Sequence, residues 1–188
     1  MRYLVYLFAI CWVAVVMLLS GQTAFAQKLP RYDSYAYAAS PDSLIATLYK
    51  VISGPAGAAR DWGQFRTLFH PSARLMATVA DTATKGFALR VMSPDEYIAG
   101  PGKRITERGF FEQEIFRVTE GFGQILHAFS TYAARTKADD ANPFVRGINS
   151  IQLFNDGKRW WILSVMWDSE RPTNPIPERY VPPTARTK

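Results

Sequence analysis

Cysteine occurs once in this 188-residue chain and histidine only twice. A lone Cys11 excludes an internal disulfide framework and a multi-cysteine zinc site. His70 and His127 leave little material for a histidine-rich metal centre, so neither a metal nor a cofactor is expected. A basic stripe is also missing. The net charge is +6, but Lys and Arg are scattered, and the densest pairs, Lys103-Arg104 and Lys158-Arg159, fall where turns are predicted. Nucleic-acid binding needs a concentrated basic surface and is not expected. There is no Ser-His-Asp order, no glycine-rich phosphate loop and no internal repeat. Asp139-Asp140 lies in a polar loop without the ordered oxygen ligands that calcium needs.

Aromatic residues are abundant: 12 Phe, 9 Tyr and 5 Trp, too many for a disordered chain. Residues 3–19 are all apolar, preceded by Arg2 and followed by a polar stretch and Ala24-Phe25-Ala26. A positive start, an apolar run and an A-x-A end predict a secretory signal over residues 1–26, hence a periplasmic or secreted protein with no stable membrane association after cleavage. The alternative is an N-terminal membrane anchor, because 17 apolar residues reach the lower limit for a span. Cleavage would leave 162 residues, a charge of +5 and no cysteine. That length suits one domain able to bury a core.

An extended lead-in is expected over residues 27–39. Ser40-Pro41-Asp42 marks a helix start, and Leu44, Ile45, Leu48, Val51 and Ile52 form one stripe at helical spacing. A second helix fits residues 59–69, ended by His70-Pro71. Strands are predicted over 75–80 and 87–92, around a turn that contains Asp81. Ser93-Pro94-Asp95-Glu96 is a capping box that opens a helix to about residue 99, closed by Gly100-Pro101-Gly102. Long strands follow at 110–119, 125–135, 144–154 and 159–168, and a proline-rich tail at 171–188. Helices first and strands last predict an α+β fold over residues 40–170, with N-terminal helices packed in a strongly curved antiparallel sheet.

Asn155-Asp156-Gly157-Lys158 predicts a hairpin. A two-residue loop places Leu153 opposite Trp160, Asn149 opposite Ser164 and Gly147 opposite Met166 on one face. The other face carries Trp161, Leu163, Val165 and Trp167, with Arg146 stacked on Trp167. A three-residue loop with a glycine bulge would flip these assignments. Both faces are too apolar for water. Helices can cover one, and a homodimer through the sheet is expected to cover the other.

Three groups of residues are candidates for chemistry. His127, between apolar neighbours on its strand, is either an acid–base group or a hydrogen-bonded structural histidine. Glu112 and Glu114 alternate onto one strand face with Phe116 and Val118. Paired carboxylates there raise one pKa, unless they face water or pair with an arginine such as Arg117. Asn149, Ser164, Met166, Trp160 and Asp168 would line an apolar cup that orients a small ligand. His70 reads as a helix-end residue and Asp81 as a turn residue.

The helix-to-strand passage Asp61-Trp62-Gly63-Gln64-Phe65-Arg66-Thr67-Leu68-Phe69-His70-Pro71-Ser72-Ala73-Arg74-Leu75, the strand Ile125-Leu126-His127-Ala128-Phe129-Ser130-Thr131-Tyr132 and the hairpin at Asn155–Ile162 resemble nuclear transport factor 2-like (SnoaL-like) domains. The resemblance spans roughly residues 40–170. It implies a cone-shaped α+β barrel with a pocket at its open end and frequent dimerisation through the sheet. That superfamily includes isomerases, dehydratases, cyclases and non-catalytic binders, so the resemblance transfers no catalytic residue. Three readings follow: an exported domain binding an unknown small molecule, a proton-transfer enzyme of isomerase or dehydratase type using His127 or Glu112/Glu114, and a homodimeric interaction module.

Overall fold

The computed structural model describes residues 35–183, all within one compact unit. The predicted signal segment lies outside the described residues, as does most of the lead-in. Helix α1 (Pro41–Ile52) begins where expected. The Ser40 side chain accepts from Ser43 N at 3.1 Å, and Ser43 Oγ accepts from Ser40 N at 3.3 Å. Pro41 presets the first helical dihedral, and Asp42 faces the positive helix end. The predicted stripe, with Tyr49, is buried against the sheet.

Helix α2 (Trp62–Leu68) is shorter than expected, because Asp61 is its cap and accepts from Gln64 N at 2.7 Å. Arg60, expected inside this helix, instead folds back into the preceding loop. It donates to the carbonyls of Ile52 at 3.1 Å, Gly54 at 2.5 Å and Ala58 at 2.6 Å. One guanidinium thus satisfies the negative end of α1 and the loop after it. Arg60→Met would bury those carbonyls without a donor and should cost about 3 kcal/mol in urea unfolding. Arg60→Lys should recover only part of that, since an ammonium lacks the planar fork.

Six strands form one sheet in the order β2-β1-β6-β5-β4-β3. They are β1 (Phe69–Asp81), β2 (Gly86–Met92), β3 (Phe111–Phe122), β4 (Ile125–Arg135), β5 (Val145–Asn155) and β6 (Trp160–Ser169). The sheet is curved, the fold class is α+β, and every neighbouring pair is antiparallel except β1 with β6. β1 is longer than predicted and takes over directly from α2. His70 therefore lies in a strand, its Nδ1 bonded to Ser72 Oγ at 2.7 Å, and not at a helix end. Pro71 is tolerated there because the β1–β6 register is interrupted between Phe69 and Arg74. Asp81 is a turn residue whose carboxylate accepts from Ala83 N at 3.0 Å and Thr84 Oγ1 at 2.7 Å.

The helix opened by the Ser93 capping box does not stop at Gly100-Pro101-Gly102. It runs as α3 (Pro94–Tyr97), passes through a π-turn (Ile98–Gly102) and continues as α4 (Lys103–Arg108). Pro101 cannot donate an amide, and the wider π-turn accommodates the missing bond without ending the helix. Gly102 is buried, and a Cβ there would lie 3.1 Å from the Trp62 ring.

The final hairpin closes with four residues, not two: Asn155 pairs with Trp160. Side chains fix this length. Asn155 Oδ1 accepts from Gly157 N at 2.7 Å, and Asp156 Oδ1 accepts from Lys158 N and Arg159 N, both at 2.9 Å. A register shift after Leu153 then leaves Leu163 unpaired. Asn149 consequently faces Trp167, not Ser164. Arg146 lies beside Glu170 and pairs with it at 2.8 Å, so the expected stacking on Trp167 does not form.

The tail crosses the outer face of the sheet. Tyr180 packs on Phe129 with ring centres 4.8 Å apart, its carbonyl accepts from Thr131 Oγ1 at 2.6 Å, and Val181 is buried. Part of the cover expected from a second copy is thus supplied by the chain itself.

Candidate functional site: a cavity with a buried glutamate

Between the helices and the inner sheet face lies a cavity of about 350 Å³. Its wall is mostly apolar, formed by residues such as Leu48, Phe65, Leu75, Met92 and Val165. Three charged residues line it: Arg90, Arg104 and Glu112. Polar groups come from Tyr97, Tyr132 and Asn149 among others.

Glu112 enters from β3. Part of its side chain stays accessible because it faces the cavity, yet burial pushes its carboxyl up to about 7. The opposing influence is a hydrogen bond from Asn149 Nδ2 to Glu112 Oε1 at 3.1 Å. The other Asn149 amide proton goes to the Tyr49 oxygen at 3.0 Å. Ser130 Oγ donates to Glu114 Oε2, so its contact with Tyr49 at 2.7 Å must use the tyrosine proton. Glu114 is clamped by Arg117, whose Nη2 donates at 2.8 Å, and Arg117 reaches exposed Asp42 at 2.7 Å. A continuous chain of hydrogen bonds, donated in both directions from Asn149, therefore ties the cavity carboxyl to an ion pair at the surface.

A bulge makes this possible. The register of β3 on β4 shifts between Glu114 and Phe116, leaving Ile115 unpaired. Glu114 and Arg117 thereby share the inner face. Phe116 and Val118, expected to lie with the glutamates, fall on the opposite face for the same reason.

Two tyrosines complete the polar part. Tyr97, at the end of α3, is pushed upward by burial and further by nearby Glu112. Its hydroxyl makes no hydrogen bond to another described residue. Tyr132 is pushed to about 12 by burial, against a hydrogen bond to Ser169. Both hold their protons at neutral pH and can donate to a ligand oxygen.

The sequence-predicted candidates separate. Glu112 and Asn149 meet in the cavity. Glu114 lies one step behind, engaged by Arg117. His127 is on the outer face, bonded to Ser150 Oγ at 2.9 Å, where it cannot touch a molecule in the cavity. The altered hairpin register sends Ser164, Met166 and Asp168 to that outer face too, with Asp168 held by Arg171 at 2.6 Å. Trp160 packs on the core away from the cavity lining. Met166 and Asp168 line a second space of about 430 Å³ under the tail. Arg90, Tyr97, Arg104 and Tyr132 were not singled out from sequence. Only Tyr132 carried a signal, through its alternation with Ala128, Ser130 and Ala134 on the inner side of β4.

No family model and no curated protein matches the sequence. Solved structures do. A protein of unknown function with a cystatin-like fold from Nostoc punctiforme is 11% identical, with a TM-score of 0.53 over 70% of this chain and 89% of that one. An NTF2-like protein of unknown function from Pseudomonas putida is 10% identical, with a TM-score of 0.52 over 71% and 87%. The helices laid against a curved six-stranded sheet, together with these structural matches, show the fold: this chain has the nuclear transport factor 2-like fold.

Proposed function

We propose that the domain binds a small, largely apolar molecule in the inner cavity and that Glu112 exchanges a proton with it. One observation carries this reading. Among the described residues Glu112 is the only acid lining the cavity, and its carboxyl is raised to about 7, so both protonation states are accessible near neutral pH. The signal-like segment supports placing this activity outside the cytoplasm.

In the simplest step, the Glu112 carboxylate removes a proton from a carbon beside a carbonyl. The C–H electron pair moves into the enolate and onto the carbonyl oxygen, where the Tyr97 hydroxyl donates a hydrogen bond. Reprotonation at the same or a neighbouring carbon completes exchange or isomerisation.

A bicyclic ketone, 2-tetralone, tests this without knowledge of the natural substrate. In D2O the protein should accelerate loss of the α-proton NMR signal, with the rate rising through a midpoint near pH 7. Glu112→Gln should lower the acceleration about 100-fold. Binding of the ketone with no exchange above the buffer rate would leave a binding domain and remove the catalytic reading.

A further inference from the structure

The cavity has an electrical direction. Among the described residues its only acid, Glu112, sits on β3, and one of its two cations, Arg90, sits on β2, so they lie on opposite edge strands of the sheet. The second cation, Arg104, belongs to α4. Arg90 lies beside the helical turn that precedes Arg104. The Arg90 guanidinium reaches Gly100, where an added Cβ would lie 3.3 Å from Nη2, and Gly100 is four residues before Arg104. Both side chains are exposed, which marks them as the rim and Glu112 as the inner wall.

What sets these two arginines apart is that they line the cavity without a carboxylate partner among the described residues. Arg66, Arg117, Arg146 and Arg171 each hold a carboxylate. Arg90 and Arg104 have no ion pair or hydrogen bond to another described residue. The acids on the adjoining helix are already committed: Asp95 to Arg66 at 2.6 Å, and Glu96 to the Ser93 amide at 2.7 Å. Two unpaired guanidinium groups beside an apolar cavity match an oxyanion on an otherwise apolar molecule.

We propose that the ligand of this cavity is an amphipathic anion: an apolar body that fills the interior and one carboxylate or phosphoryl group held at the rim by Arg90 and Arg104. This rests on the reading of the cavity as a ligand site and adds the substrate class. The rim anchor also sets orientation. It directs the end of the molecule remote from the anion toward Glu112 and Tyr132, with Tyr97 between the two ends.

Naphthalene-2-carboxylate, 2-naphthyl phosphate and methyl naphthalene-2-carboxylate share one apolar body and differ in charge. Their binding is compared by calorimetry at about pH 6, where Glu112 is mainly protonated. At least one anion should bind tenfold or more tightly than the ester, and the tighter anion identifies the preferred oxyanion. The preference should shrink with added salt. In the Arg90→Gln/Arg104→Gln double variant the ratio of anion to ester affinity should fall to about one, with each single variant intermediate. Both residues are exposed, and an unchanged melting temperature verifies the fold of each variant. Equal binding of ester and anions, or a ratio that survives the double substitution, overturns the inference while leaving the cavity a ligand site. Failure of all three probes to bind overturns both.

Discussion

Gly147→Ala is expected to lower the unfolding free energy by about 3 kcal/mol or more, a drop of roughly 10 °C in melting temperature for a domain of this size. The cause is space, not backbone freedom. Gly147 on β5 lies opposite Tyr132 of β4 and Ser169 of β6. The Tyr132 side chain crosses the inner face of the sheet over this position. An added Cβ would stand 2.5 Å from the Tyr132 hydroxyl oxygen and 2.7 Å from its ring carbon. The tyrosine alone could move. The Asp168 carbonyl, closer still, belongs to the paired strand and cannot move without breaking the β5–β6 ladder. A second variant separates the two causes. Tyr132→Leu in the alanine background removes both the hydroxyl and the ring carbon that bears it, yet the carbonyl clash stays, so, measured against Tyr132→Leu alone, it should restore little of the lost stability. Recovery of most of it would assign the cost to the tyrosine. An alanine variant as stable as wild type in urea unfolding would show that the strands do not pack this closely.

How much of this molecule was legible in its sequence depends on whether the determining chemistry is local. The helix starts at Ser40 and Ser93 were readable because a cap and its partner lie three residues apart. Strand β4 runs over the predicted residues, since apolar and small residues alternate through it. The final hairpin was readable as an element and not as a register. Three side chain–backbone bonds to Asn155 and Asp156 lengthen the loop, and the Leu163 bulge offsets the strands again. Each slip moves side chains to the other face, which carried Ser164, Met166 and Asp168 out of the cavity. Gly100-Pro101-Gly102 read as a stop because each residue disfavours helix. Packing of Gly102 under Trp62 overrode that preference.

The candidate site was half legible for the same reason. Glu112 stood out as an acid in an apolar strand, and Asn149 as a polar residue on a buried face. Nothing in their spacing of 37 residues announces their hydrogen bond. Tyr97 on α3, Arg104 on α4, Arg90 on β2 and Tyr132 on β4 are brought to them only by closure of the curved sheet over the helices. The Ile115 bulge decided which of two neighbouring glutamates is held by an arginine and which is not. Glu114 meets Arg117 on the same face, whereas Glu112 faces an apolar cavity with one amide partner.

That difference predicts the second large effect. Glu112→Gln should make the folded protein more stable than wild type at alkaline pH, by up to about 3 kcal/mol, and leave it nearly unchanged near pH 4.5. The Glu112 carboxyl titrates near 4.5 in the unfolded chain and at about 7 in the folded one. Below the lower value both states hold the proton, and the group contributes nothing to the pH dependence. Between the two values the unfolded chain releases a proton that the folded protein keeps, so stability falls as pH rises. Above about 7 both states are ionised and the penalty is constant. Glutamine carries no such penalty, and its amide oxygen can still accept from Asn149. The gap between variant and wild type in urea unfolding should therefore open from pH 4.5 to about 8 and then stay level. Asp168 and Glu170, held below the usual carboxylate range by hydrogen bonds from Arg171 and Arg146, titrate alike in both proteins and cancel in the difference. A gap that stays flat across this range would show that Glu112 ionises like an ordinary surface acid. A residue whose charge weakens the fold near neutral pH is not explained by packing, since glutamine would pack as well without the penalty. If the variant gains stability and loses 2-tetralone exchange together, the cost in stability is the cost of the reactive carboxyl.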